Sequence, residues 1–179
     1  MNTKLKGDIA EQAAILQALR RGWGVLQPVG DRLAYDLVFD VAGILVRVQV
    51  KSAWFYEPAG NFILDNRRTK TNRREMKRET YSSADFDFAL VYVDVLDLFY
   101  VFPVEVFIAY ASQIQIVESD KRQRKPRSAN YRDAWELIST WAALRETLMR
   151  LPVKVGEASS GGDPEPSSED LLLGEGVET

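Results

Sequence analysis

The chain has 179 residues, 46% of them hydrophobic, with 23 Lys and Arg, 26 Asp and Glu and a formal net charge of −3. That is room for one domain with a sizeable core. There is no His and no Cys, which excludes a zinc centre, a thiol nucleophile, a Ser-His-Asp triad and a disulfide framework, so any metal must be held by oxygen.

Met1-Asn2-Thr3-Lys4 runs straight into a polar helix. No stretch approaches the ~18 consecutive apolar residues of a membrane span, so a cytoplasmic protein without a membrane partner is expected. Leu5, Ile9, Ala13, Leu16 and Leu19 recur at helical spacing and Gly22 supplies a stop, predicting a first helix from about Lys4 to Arg21. Glu11 lies off that stripe, near the facet of Ala14, Ile15 and Ala18. Its carboxylate is either partly enclosed and in want of a partner or an ordinary exposed helical Glu. Gly24-Val25-Leu26-Gln27-Pro28 reads as a short strand, with Val29-Gly30-Asp31 as a turn.

Tyr35 to Lys51 reads as a β-hairpin. With Ala42-Gly43 as its two-residue turn, Asp36 falls directly opposite Gln49, and Lys51 points to the same side about 7 Å further along. Leu37, Phe39, Val41, Val46, Val48 and Val50 occupy the other face, the one expected in the core, which leaves the polar face as the more exposed. Cross-strand Cβ atoms lie roughly 4.5–5.5 Å apart, so a carboxylate, a carboxamide and an ammonium share one small volume. Such a group can hold a hard cation beside a phosphate. The alternative is a solvated Asp/Lys pair of little energetic weight.

Further along, Asn61 to Leu64 is a short strand, Phe86 to Val93 and Leu98 to Phe102 are two strong strands, and Ile114 to Val117 is another. A last amphipathic helix is predicted from about Tyr131 to Arg150, with Ala134, Leu137, Ile138, Trp141, Leu144 and Leu148 on its apolar side and Trp135 at the edge. This order gives an α/β domain over 1–154, a mixed β-sheet flanked by helices. From Val155 the chain is mostly Gly, Ser, Pro and acid, so 155–179 is expected to be a disordered acidic tail.

The charge is unevenly placed. Seven acids and no base follow Lys154, so residues 1–154 hold all 23 bases against 19 acids, a net charge of +4. Arg67, Arg68, Lys70, Arg73, Arg74, Lys77 and Arg78 form one basic cluster, and Lys121, Arg122, Arg124, Lys125 and Arg127 form another. A charge run is commonly a solvated face, but two of them in a basic body favour nucleic acid as the partner.

Gly7-Asp8-Ile9-Ala10-Glu11, then Asp36, then Gln49-Val50-Lys51 together resemble the PD-(D/E)XK nuclease superfamily. The phrases Thr3-Lys4-Leu5-Lys6-Gly7-Asp8-Ile9-Ala10-Glu11, Pro28-Val29-Gly30-Asp31-Arg32-Leu33, Tyr35-Asp36-Leu37-Val38-Phe39-Asp40, Asp65-Asn66-Arg67-Arg68-Thr69 and Asp120-Lys121-Arg122-Gln123-Arg124-Lys125-Pro126-Arg127 look more narrowly like the cyanobacterial-type homing endonucleases of group I introns. The resemblance covers about residues 3 to 140. It implies a restriction-endonuclease-like core and Mg²⁺- or Mn²⁺-dependent hydrolysis of double-stranded DNA. Asp36, Glu11 and the Val50 carbonyl would hold the metal, and Lys51 would serve the attacking water or the scissile phosphate. Gln49 departs from the acid usual at its position, removing one anionic ligand while keeping a carbonyl oxygen able to coordinate or orient a water.

The same resemblance implies a homotetramer, consistent with the need for two sites to cut two strands. Phe99, Phe102, Phe107 and Tyr110 are available for an interface, although core packing is the expected role for most of them. Two rival readings use the same residues: a Holliday junction resolvase or other structure-selective nuclease, and a DNA-binding protein that does not cut.

Overall fold

A computed structural model describes residues 2–30, 32–71, 76–110, 112–118 and 125–151. In chain order the elements are α1 (Thr3–Arg20), β1 (Gly24–Leu26), β2 (Leu37–Val41), β3 (Ile44–Ser52), β4 (Trp54–Tyr56), β5 (Asn61–Asp65), β6 (Arg67–Thr71), β7 (Met76–Thr80), β8 (Phe88–Val93), β9 (Leu98–Pro103), α2 (Val104–Ile108), β10 (Gln113–Ile116) and α3 (Glu136–Arg150). The acidic tail expected from residue 155 lies outside the described residues.

The hairpin forms in the expected register. Leu37 pairs with Val48 and Val41 with Ile44. Ala42 and Gly43 take φ of 53° and 87°, the left-handed pair that a two-residue hairpin turn requires, and Asp40 Oδ1 closes the turn by accepting from Gly43 N at 2.8 Å. β1 joins the outer side of β2, antiparallel. On the other side β3 pairs in parallel with β8, and β8 antiparallel with β9. Among the described residues the main sheet is therefore mixed, in the order β1-β2-β3-β8-β9.

Strand alternation divides the core in two. Leu37, Phe39, Val46, Val48, Val50, Leu90, Phe99 and Val101 point to one face and pack against α1 and α3. Ala89, Val91, Val93, Tyr100 and Phe102 point to the other, where they meet Phe62 and Leu64 of β5, Ile114 and Ile116 of β10, and Phe107 of α2. That second layer is a small antiparallel sheet in the order β10-β5-β4. The basic segment that follows β5 is a ribbon, β6 paired with β7, with Arg67 opposite Thr80 and Lys70 opposite Lys77.

Three sequence expectations change. The first helix buries Ala10, Ala14 and Ala18, while Leu5, Leu16 and Leu19 remain about half exposed. Alanines at i, i+4 and i+8 let the helix backbone lie close to the sheet, whereas the leucine stripe matched the period without being the packed facet. In α3 the expected Ile138, Leu137 and Trp141 pack on the core and Ala134 is buried just before it, but Leu144 and Leu148 face outward while Ala142 and Trp135 are buried. The polar hairpin face is also not the open one, since the second layer roofs it and Gln49 is only 7% exposed. Phe99, Phe102 and Phe107 are core residues, at 2%, 0% and 0% exposure, so they are not interface surface.

Candidate active site

The site sits where the β2/β3 ladder stops. Asp36 N still donates to Val48 O at 2.9 Å. Two residues on, the Val50 amide takes a side chain instead of a strand, donating to Asp36 Oδ2 at 2.8 Å. Gln49 Nε2 donates to the same Asp36 oxygen at 2.5 Å and to Val50 O at 3.1 Å. Asp36 Oδ1 takes no hydrogen bond from any described residue, and Asp36 lines the cleft.

Glu11 reaches the same place from α1. It lies beside the Ala10/Ala14/Ala18 facet, so the close approach of that helix brings its carboxylate up to Asp36 without a hydrogen-bond partner among the described residues. Lys51 completes the set. Its Nζ donates to Arg67 O at 3.2 Å and stands 5.1 Å from the centroid of the Tyr81 ring. Glu11, Asp36, Gln49, Lys51, Arg68 and Tyr81 line one cleft of about 570 Å³, with the 27–35 connection as its opposite wall.

Burial pushes Asp36, Glu11 and Lys51 each toward the neutral form. Burial raises the Asp36 carboxyl above its ordinary value, against the Val50 N–H, Lys51, Arg68 and Gln49, which pull it down. Burial also raises Glu11, and the charges of Asp36 and then Asp8 add to it. Lys51 is lowered by burial, against the stabilising charges of Asp36 and Asp65. Among the described residues no three His, Cys, Asp or Glu side chains surround one point, as Gln49 in place of an acid requires. The oxygen donors available are therefore the two carboxylates and the Val50 carbonyl, a hard set suited to Mg²⁺ or Mn²⁺.

The structure thus brings Glu11, Asp36, Gln49, Val50 and Lys51 together. It places the basic residues differently from one another. Arg68 is in the cleft itself, with Nη2 donating to Arg32 O and Leu33 O at 3.0 and 2.6 Å. Arg67 is committed to Asp65, donating from Nε and Nη2 at 3.0 and 3.1 Å, and Arg78 adds a second ion pair to Asp65 at 3.5 Å. Lys70 and Lys77 lie on the ribbon strands. Lys125 donates to Asn130 Oδ1 at 2.6 Å, and the Arg127 guanidinium lies 4.4 Å from the Tyr110 ring. Arg73, Arg74, Arg122 and Arg124 lie outside the described residues.

Sequence reasoning missed Tyr81, and it missed that Arg68 belongs to the cleft. Arg68 was visible only as one member of a basic run. Tyr81 carried no signal, because its neighbour Lys51 is 30 positions away and the two meet through the second layer.

Known proteins resemble this chain in sequence and in fold. The PD-(D/E)XK endonuclease family model matches residues 1–138. Among solved structures, a bacterial homing endonuclease, I-Ssp6803I, is similar to this chain at 64% identity over 82% of this chain and 99% of that one, with a TM-score of 0.77. No match was found among curated proteins.

Proposed function

Because the chain belongs to the PD-(D/E)XK endonuclease family, we propose that the Glu11, Asp36, Gln49, Lys51 cleft is its active site and that it cuts double-stranded DNA at specific sites as a homing endonuclease. The observation that carries this reading is the convergence of the Asp36 and Glu11 carboxylates with the half-buried Lys51 ammonium in one cleft where the β2/β3 ladder ends.

The residues fit a divalent cation. Asp36 and Glu11 both line the cleft, neither Asp36 Oδ1 nor the Glu11 carboxylate accepts a hydrogen bond from a described residue, and a cation bound between them would offset the burial that raises both carboxyls. Glu11, Asp36 and the Val50 carbonyl would hold Mg²⁺ or Mn²⁺. Bound there, the cation supplies charge at the phosphate and acidifies a water. The chain's own residues do the rest. Asp36 is oriented by the Val50 N–H, Gln49 fixes that carboxylate in turn, and Lys51 places a fixed positive charge where negative charge builds on the phosphate oxygens as water attacks and the ester oxygen leaves. Arg68 offers a second cation to the same phosphate group or its neighbour.

The β6/β7 ribbon, with Lys70, Lys77 and Arg78, is the proposed reading element, together with Arg73 and Arg74 from outside the described residues, and Arg122, Arg124, Lys125 and Arg127 are a supporting set. A two-stranded ribbon fits the major groove, and Arg/Thr/Asn side chains suit phosphate and base edges. The working species is proposed to be a homotetramer. One Asp36/Lys51 site hydrolyses one strand at a time, and the half-exposed Leu5, Leu16, Leu19, Leu144 and Leu148 offer apolar area on the helical face. Among the described residues no helix is long and apolar enough to cross a membrane, and a cytoplasmic site of action is proposed.

The test is cleavage of a randomised duplex library with Mg²⁺, with Mn²⁺ and with chelator, followed by sequencing of the cut molecules. Site-specific double-strand cuts that need the divalent ion and vanish in Lys51→Ala and Asp36→Asn, with binding of uncut duplex retained, are expected. Preferential cutting of four-way junctions, or cleavage that survives either substitution, overturns the reading.

A further inference from the structure

Both groups that hold the Lys51 ammonium come from the foot of the ribbon. Arg67, whose carbonyl accepts from Nζ at 3.2 Å, opens β6. Tyr81, whose ring centroid lies 5.1 Å from Nζ, immediately follows β7. The two legs are tied at that level by the pairing of Arg67 with Thr80. Lys51 forms no ion pair with a described carboxylate, although Asp36 lies in the same cleft. Its position is therefore set by a carbonyl and an aromatic face, and both belong to the element proposed to read DNA.

Each holder is itself braced. Asp65 fixes Arg67 through its backbone N–H at 2.9 Å and through its guanidinium. Asn66 is buried, with Nδ2 donating to Phe107 O and Tyr110 O at 2.9 and 3.1 Å. The Tyr81 ring packs on Phe86 and Phe107 with centroid separations of 5.1 and 6.1 Å. A lysine stem has four rotatable carbons and no preferred direction of its own, so an electron-rich ring in a fixed place is what confines the charge.

We propose that Tyr81 is a positioning residue for Lys51, acting through the face of its ring, and that the foot of the ribbon is the part by which duplex engagement is passed to the catalytic ammonium. This rests on the assignment of Lys51 to catalysis and of the ribbon to DNA. The hydroxyl is not required: it makes no hydrogen bond with a described residue, and the contact is to the ring.

The test measures single-turnover cleavage, with Mg²⁺, of a duplex recovered from the library selection, and separately the affinity for that duplex with Ca²⁺ in place of Mg²⁺. Tyr81→Leu should cut about 10-fold or more slowly with unchanged affinity, whereas Tyr81→Phe should cut close to the wild-type rate. A Phe variant as slow as the Leu variant, or a Leu variant as fast as wild type, overturns the proposal.

If Tyr81→Leu does not fold, 3,4,5-trifluorophenylalanine installed at the same position keeps the shape while removing the negative ring face. A rate well below that of Tyr81→Phe supports the contact, and an equal rate removes it. Lys51→Ala separates the two levels of the argument. Cleavage retained there sinks the active-site reading, whereas loss there alongside a normal trifluoro variant sinks only the role of Tyr81.

Discussion

Gln49 Nε2 stands 2.5 Å from Asp36 Oδ2 and 3.1 Å from Val50 O, so one amide nitrogen bridges two of the residues proposed to hold a cation. Both neighbours are acceptors, which fixes the amide with its NH₂ toward them.

Gln49→Glu replaces that donor by a second carboxylate against Asp36. Without divalent ion the variant should melt below wild type, and added Mg²⁺ should recover the deficit, since a third anionic ligand strengthens binding while repelling Asp36 in its absence. Half-maximal cleavage should need less Mg²⁺ than in wild type. Melting curves and metal titrations read both effects, and an unchanged metal profile would place Gln49 away from the ion.

Glu11 gives a pH signature. Burial and the charges of Asp36 and Asp8 hold its folded value above the unfolded one. Between those values the folded state therefore binds more protons, and the contribution of this group to stability falls as pH rises through the window, the reverse of an ion-paired carboxylate. Glu11→Gln should raise Tm by about 1–3 °C at pH 7 without divalent ion, with the gap closing below about pH 4. Calorimetry across pH decides it, and a gap that does not change with pH would exclude repulsion as its cause.

The basic residues between 67 and 78 should differ in their salt dependence. Replacing Lys70, Arg73, Arg74 and Lys77 by Ser should flatten the slope of log K against log salt by about 3 to 4 if each neutralises a phosphate. Arg67→Ser should change it far less, because that guanidinium is already occupied by Asp65. Binding titrations at several salt concentrations check this, and equal slopes for wild type and the fourfold variant would reduce the run to solvated surface.

Asn66 is a structural corner. Asn66→Ala removes donors from two carbonyls, Phe107 O and Tyr110 O, and should cost about 2–3 kcal/mol. Denaturant unfolding measures that loss. An unperturbed midpoint would mean that water replaces the amide at both carbonyls.

The hairpin was legible because everything that sets it is local: two left-handed turn residues and a period of two fixed which residue faces which, so Asp36, Gln49 and Lys51 could be grouped without a structure. Glu11 was legible only as a question, since its partner lies on another element. The facets of α1 and α3 were misjudged because alanine and leucine stripes share one period, and only the distance to the sheet chooses between them. The ribbon and β4 were not legible as strands. Arg, Lys and Thr in succession carry no apolar alternation, and Trp54, Phe55 and Tyr56 are all exposed, so burial left no pattern to read. The roofing of Gln49 by the second layer depends on contacts between distant segments.

The parallel pairing of β3 with β8 has a consequence for how such a protein can change over generations. A parallel pair needs a long connection, and here that connection is everything from β4 through β7, including the ribbon. The main sheet closes over this insert, and the hairpin that carries Asp36, Gln49 and Lys51 is complete before it begins. On the proposed reading, substitutions along the ribbon redirect which duplex is chosen without disturbing the hairpin that carries Asp36, Gln49 and Lys51. The exception is its two ends, where Arg67 and Tyr81 meet Lys51. Drift in target preference should run freely along β6 and β7 and stall at the foot of the ribbon.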